Sequence, residues 1–192
     1  MRVESYLGNS YICSSDNYFT ENPFEPYVYE SYYSATYVEG PTQEYCLVTR
    51  GKKDLITEVT IGGSDAWYMI GHAYWDRSFS ERFLSVLHDV YDNPFTFDKL
   101  WEDIYIDPID ELPMTMRKYA DGIIWEFDSL DELKEFDPSF IDNLDSSILD
   151  NICSVLKCER RDIQDFTPMK QGLTNLSCRF VVDGVPYVYR HP

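Results

Sequence analysis

The chain has 192 residues, 44% of them hydrophobic and 16% aromatic, enough apolar material for one domain and part of a second, and too much for a disordered chain. Its 16 Lys and Arg stand against 34 Asp and Glu, a formal charge of −18, which would repel a nucleic-acid backbone or an anionic membrane surface, so neither is an expected partner. Five cysteines without a CxxC pair read as reduced thiols, and neither an apolar signal core after Met1 nor a membrane-spanning apolar run occurs, so the expected location is cytoplasmic.

Residues 9–13 (NSYIC) are β-prone and end in the turn formers Ser14, Ser15, Asp16 and Asn17. An acidic, aromatic stretch follows at 18–26. Residues 27–38, 45–49, 55–61 and 67–75 read as strands, the middle two forming a hairpin around RGKKD at 50–54. The period then changes. Phe79, Phe83, Leu87, Val90 and Tyr91 recur at helical spacing, with Ser78 or Ser80 as the expected cap. A second helix is expected at 100–109, opened by Thr96 or Asp98. Strands at 114–119 and 123–127 precede a helix through Leu130, Leu133 and Phe136, capped by Asp128 and Ser129. This alternation predicts an α/β fold, a mixed sheet flanked by helices. The polar stretch 137–147 marks a boundary between domains at 1–140 and 146–192. The second holds a helix at 148–156 and a hairpin joining 178–182 to 187–189 through Asp183-Gly184, and two strands by themselves would leave it without a core.

Asp16 stands at the carboxyl end of a strand, the edge where open α/β sheets bind ligands. A carboxylate there can hold Mg²⁺ together with substrate phosphates, and the same position also suits an Asx turn. Asp128, between a strand and a helix, reads as a second Mg²⁺ ligand or as a helix cap. Converging on one ion, the pair would clamp a triphosphate. Trp67, Trp75, Trp101 and Trp125 either pack a core or offer ring faces to a quaternary ammonium, with Glu102, Asp103 and Glu126 adding negative charge. His72, His88 and His191 lack metal-ligand spacing, so no zinc site is assigned.

Four blocks occur in an order that resembles the phosphocholine cytidylyltransferase branch of the sugar-nucleotidyltransferase family: NSYICSSDNYF at 9–19 with Asn22 and Phe24, WYMIGHAY at 67–74, LWEDI at 100–104 and WEFDSL at 125–130. The resemblance covers about residues 4–140 and implies a Rossmann-like nucleotidyltransferase domain. It implies Mg²⁺ as cofactor, Asp16 and Asp128 as catalytic metal ligands, and an acceptor site drawn from Trp67, Trp101, Glu102, Asp103, Trp125 and Glu126. The implied reaction is attack of a phosphate on the α-phosphorus of a nucleoside triphosphate with loss of pyrophosphate, phosphocholine being the acceptor. The family's Gly-rich phosphate loop is not matched by the first eight residues (MRVESYLG). The chain is therefore expected to be the C-terminal part of such a domain, inactive alone and completed by flanking segments of a larger parent.

The tail, KQGLTN at 170–175, Arg179-Phe180 and YVYRHP at 187–192, resembles the start of bacterial choline kinases. That implies nucleotide-binding roles for Gly172, Thr174, Asn175 and Arg190 and an incomplete kinase N-lobe hairpin, although GLTN alone also reads as an ordinary turn. Phosphocholine, product of one activity and substrate of the other, would link consecutive steps in one parent. Two alternatives remain open: a choline or ethanolamine kinase fragment behind a degenerate leading domain, and an inactive ligand-binding module.

Overall fold

Residues 32–75 form two long strands where four short ones are expected. The computed structural model describes residues 3–140, 146–169 and 177–190. The chain divides into two compact units, Met1–Glu126 and Phe127–Pro192.

In the first unit β1 (Ser10–Cys13) and β2 (Asn17–Phe19) precede β3 (Tyr32–Arg50) and β4 (Leu55–Trp75). Helices α1 (Arg77–Val90) and α2 (Trp101–Ile106) follow, then β5 (Thr115–Lys118) and β6 (Ile124–Glu126). The main sheet has the order β1-β4-β3-β5, with β5 parallel to β3 and the remaining pairs antiparallel. It is a mixed sheet flanked by helices, as expected. The strand expected at 27–38 begins only at Tyr32, and those at 45–49, 55–61 and 67–75 are parts of β3 and β4. Gly40-Pro41 and Gly62-Gly63 are absorbed as irregularities in the ladder, with register shifts between Val38 and Pro41 and between Thr42 and Tyr45.

These irregularities let the ribbon bend back on itself. Cys46 pairs with both Thr60 and Tyr68. The base of the ribbon, Tyr32 to Ala35, pairs with β5, and its tip returns to the same strand: Met116 N–H donates to Asp54 O (2.8 Å) and Ile56 N–H to Met114 O (2.9 Å). Leu47, Ile56 and Val59 from the outer half thereby join Tyr33, Ala35, Met69, Ala73 and Trp75 in one core, closed by Phe79 and Phe83 of α1 and Tyr105 of α2.

The helix starts differ from expectation. Asp76 caps α1, accepting from Phe79 N–H and the Ser31 hydroxyl (2.9 Å each), while the buried Ser80 donates to Gly8 O (2.7 Å). Before α2, Thr96 donates to the carbonyls of Val90 and Asn93, and Asp103 accepts from Leu100 N–H (3.0 Å), so neither Thr96 nor Asp98 opens that helix.

In the second unit, α3 (Leu130–Phe136) is capped by Ser129, whose hydroxyl accepts from Glu132 N–H (3.2 Å). Asp128 contributes its backbone N–H, to Glu132 (2.8 Å). Then come α4 (Ser147–Leu156), β7 (Gln164–Met169), β8 (Ser177–Val182) and β9 (Val185–Arg190), the strands forming an antiparallel sheet in that order. Asp183 and Gly184 both have positive φ, as a two-residue hairpin turn requires. The unit is not coreless: Leu149 and Ile152 of α4 and Ile163 just before β7, absent from a bare hairpin, pack with Phe180 and Val182. Among the described residues no helix is long and apolar enough to cross a membrane.

The turn that carries Asp16 is seated on β4 at Gly71. Ser14 N–H donates to Gly71 O (2.8 Å), and Gly71 has φ +58°, where an added Cβ would lie 2.6 Å from Ser14 Oγ and 2.9 Å from Asn17 Oδ1. Gly71→Ala is expected to cost roughly 2–4 kcal/mol, from a left-handed non-glycine residue plus an overpacked contact. Urea unfolding followed by tryptophan fluorescence checks this, because all four tryptophans lie in the first unit. An unchanged midpoint would show that the turn does not depend on this approach.

Candidate active site

A cleft of about 340 Å³ opens where β1, β3, β4 and the start of α2 meet in the first unit. Cys13 and Ser14 come from the end of β1, Tyr33, Glu44 and Tyr45 from β3, Met69 and Gly71 from β4, and Trp101 and Glu102 from α2, with Glu126 at the end of β6. Three carboxylates and three large rings thus face one space, and no Lys, Arg or His is among the lining residues.

The walls brace each other. Trp101 stacks on Tyr33 (ring centroids 5.5 Å apart, planes 22° apart) and meets the edge of Trp75 at 4.9 Å. The Tyr33 hydroxyl donates to Glu102 Oε1 (2.8 Å) and the Tyr45 hydroxyl to Asp103 Oδ1 (2.7 Å). Burial pushes the Glu102 carboxyl above its usual range, and the Tyr33 hydrogen bond opposes that shift. Tyr45 is pushed up to about 12, chiefly by its bond to Asp103, and Tyr33 is raised by burial and then by Glu102. Both phenols therefore remain donors at neutral pH.

Of the residues expected at an acceptor site, Trp101, Glu102 and Glu126 come together in this cleft. Asp103 is turned toward Tyr45 and the Leu100 N–H. Trp67 is placed elsewhere, against Tyr37 (5.4 Å) and under Lys118 Nζ (5.4 Å), and Trp125 is 38% exposed with its indole N–H on Gly122 O. Trp75 packs in the core. Tyr33, Glu44 and Tyr45 escaped the sequence reading, because only the bend in the ribbon brings positions 33 and 45 to one helix turn.

Asp16 is exposed in the β1–β2 turn, and its carboxylate takes no hydrogen bond among the described residues. Its neighbour Asn17 keeps both amide atoms buried without a partner among the described residues. A free carboxylate of this kind suits Mg²⁺ in its donor chemistry. Asp128 is exposed in the second unit, and no cluster of three or more His, Cys, Asp or Glu able to hold a metal occurs among the described residues. Arg190 is exposed at the end of β9, and Gly172, Thr174 and Asn175 lie outside the described residues.

No family model matches the chain. Choline-phosphate cytidylyltransferase of Streptococcus pneumoniae is 26% identical over 135 residues, 70% of this chain and 58% of that protein. 2-Aminoethylphosphonate cytidylyltransferase of Lancefieldella rimae is 28% identical over 137 residues, 70% of this chain and 54% of that protein. The solved structure of CTP:phosphocholine cytidylyltransferase from Streptococcus pneumoniae matches with a TM-score of 0.66 at 26% identity, covering 71% of this chain and 60% of that one. The chain is cytidylyltransferase-like in sequence and fold. It spans less than two thirds of the length of each of these relatives.

Next to the Gly71 seat, His72 is fully buried among the rings of Tyr11, Phe19, Phe24, Tyr32 and Tyr119. Its Nδ1 lies 2.6 Å from Ser34 Oγ and its Nε2 has no partner among the described residues. Burial, then the charge of Arg117, pushes its pKa down to about 4. The folded unit thus keeps a neutral imidazole where the unfolded chain takes up a proton below about pH 6.5. Stability should therefore fall as pH drops from about 6.5 to 4, by roughly 2–3 kcal/mol from this group. Compared with His72→Gln, the wild-type urea midpoint is expected to decline across that window. A pH-independent difference between the two would contradict a buried neutral His72.

Proposed function

We propose that the chain supplies the acceptor side of a Mg²⁺-dependent, cytidylyltransferase-type nucleotidyl transfer, with phosphocholine as the acceptor and CTP as the nucleotide. The observation that carries this is the cleft: Tyr33, Tyr45 and Trp101 beside Glu44, Glu102 and Glu126, with no basic side chain on its walls. A trimethylammonium group has no N–H to donate, so it is held by ring faces and nearby negative charge. A sugar phosphate would need hydroxyl and amide partners, and both phenolic hydroxyls here are already engaged by carboxylates.

In this reading Trp101 and Glu102 fix the cationic end of the acceptor and leave its phosphate to attack the α-phosphorus of the nucleotide. Orientation of this kind removes entropy from the barrier, and the packed Tyr33–Trp101–Trp75 rings keep water from one side. Asp16 and Asp128 are the proposed Mg²⁺ ligands. Supporting this for Asp16, its exposed carboxylate in the β1–β2 turn takes no hydrogen bond among the described residues. Bound there, the ion would screen the charge that grows as pyrophosphate leaves. For the second unit we propose the start of a choline-kinase-type domain, supported by the β8–β9 hairpin and the exposed Arg190 at its end. Five free cysteines support a reducing compartment such as the cytoplasm.

Calorimetry tests the acceptor assignment. The chain is expected to bind phosphocholine in preference to glucose 1-phosphate, and Trp101→Ala to weaken binding about tenfold, within the range of a partly desolvated cation–π contact. Equal affinity for the two ligands, or no loss on removing Trp101, would remove the choline assignment.

A further inference from the structure

Glu102 is a half-buried acid. Its partner is a phenol, not a cation, so its charge is hydrogen-bonded but not neutralised. The Tyr33 hydroxyl that holds it belongs to a side chain only 1% exposed, whose ring is the platform for Trp101. One tyrosine therefore fixes both halves of the cation site, the ring face and the carboxylate.

Given the acceptor role proposed above, we propose that Tyr33 is a positioning residue that holds the Glu102 carboxylate against the Trp101 face, so that an arriving cationic head group displaces a proton from this acid. The titratable groups around Glu102 are Tyr33, Glu44 and Tyr45 of β3, Cys13 of β1, Glu126 of β6 and Asp103 on its own helix. All are anionic or neutral, so nothing on the walls competes with a ligand for the charge. Burial disfavours the ionised form of this acid, and the Tyr33 donor opposes that effect. A quaternary ammonium at the Trp101 ring favours the ionised form further, and mass balance then requires a proton to leave.

The sign follows. Affinity for the cation should rise with pH through the Glu102 titration and level off above it. Removing the Tyr33 hydroxyl removes a bond to the ionised form, so the titration moves to higher pH and affinity at a fixed acidic pH falls. A merely structural tyrosine would change affinity without moving the pH profile.

The test uses choline as the probe, because it has no group that titrates in the acidic range. Calorimetry on the full chain in two buffers of different ionisation enthalpy reads the protons released per choline bound. Wild type should release a fraction of a proton near the acidic end of its profile. Tyr33→Phe, which keeps the ring on Trp101, should bind choline about tenfold more weakly there, with its profile shifted to higher pH, because a hydrogen bond to an ionised carboxylate is lost. Glu102→Gln should release markedly less proton than wild type, since Glu44 and Glu126 remain in the cleft, a readout that stands even if Tyr33→Phe does not fold. Unchanged affinity and profile in Tyr33→Phe, or undiminished proton release in Glu102→Gln, overturns the inference while leaving the acceptor assignment intact. Failure of wild type to bind both choline and phosphocholine overturns that assignment and the inference with it.

Discussion

The cleft depends on the bend in the β3–β4 ribbon. A strand of 21 residues laid straight would reach roughly 65–70 Å and carry the apolar side chains of its outer half into water. Folding back puts Leu47, Ile56 and Val59 into the core, each burial contributing about 1.5–3 kcal/mol before the entropy of ordering is counted. The chain permits the bend where glycines take positive φ, at Gly40 and Gly62, and the tip is then tied to β5 by backbone hydrogen bonds. Because β5 is paired with the base of β3 and bonded to the ribbon's tip, the bend is closed, and Tyr33 and Tyr45 are held where α2 presents Glu102 and Asp103.

How much of this could be read from the sequence follows from the range of each interaction. The period of α1 and the Asp183-Gly184 turn are local, and both were legible. The cap of α1 was not, because Asp76, Ser78 and Ser80 are all plausible caps and the choice depends on distant partners at Ser31 and Gly8. The ribbon was read as separate strands for a similar reason: a glycine that breaks a strand and one that permits a bulge look alike until the core behind it is known. At the site, Trp101, Glu102 and Glu126 carried a recognisable order. Tyr33 and Tyr45 sit in a stretch where tyrosine is common, and no local feature marks them from Tyr27, Tyr29 or Tyr37, which are exposed. Trp67 is the converse case: its block matched, and its ring turns to Tyr37 and Lys118.

Charge is distributed within the first unit so that the cleft stays acidic. Lys53, Arg117 and Lys118 gather in a second cleft, between the segment before β3 and β5, where Glu30, Glu25 and Asp54 respectively pair with them. Such exposed pairs contribute about 0–1 kcal/mol each, so stability does not explain why the cations stand there. Had any of them faced Glu102, the pair would have been satisfied within the protein, and a ligand would have had to break it. Pairing Glu102 with a phenol satisfies its hydrogen-bonding need and leaves the charge open. The burial that makes this acid costly to ionise is then the same burial that makes a bound cation favourable, since both act through the low local dielectric. In the proposed acceptor role, a cleft built this way would favour ligands that bring positive charge, and that selectivity would come from a partner the protein withholds rather than from one it adds.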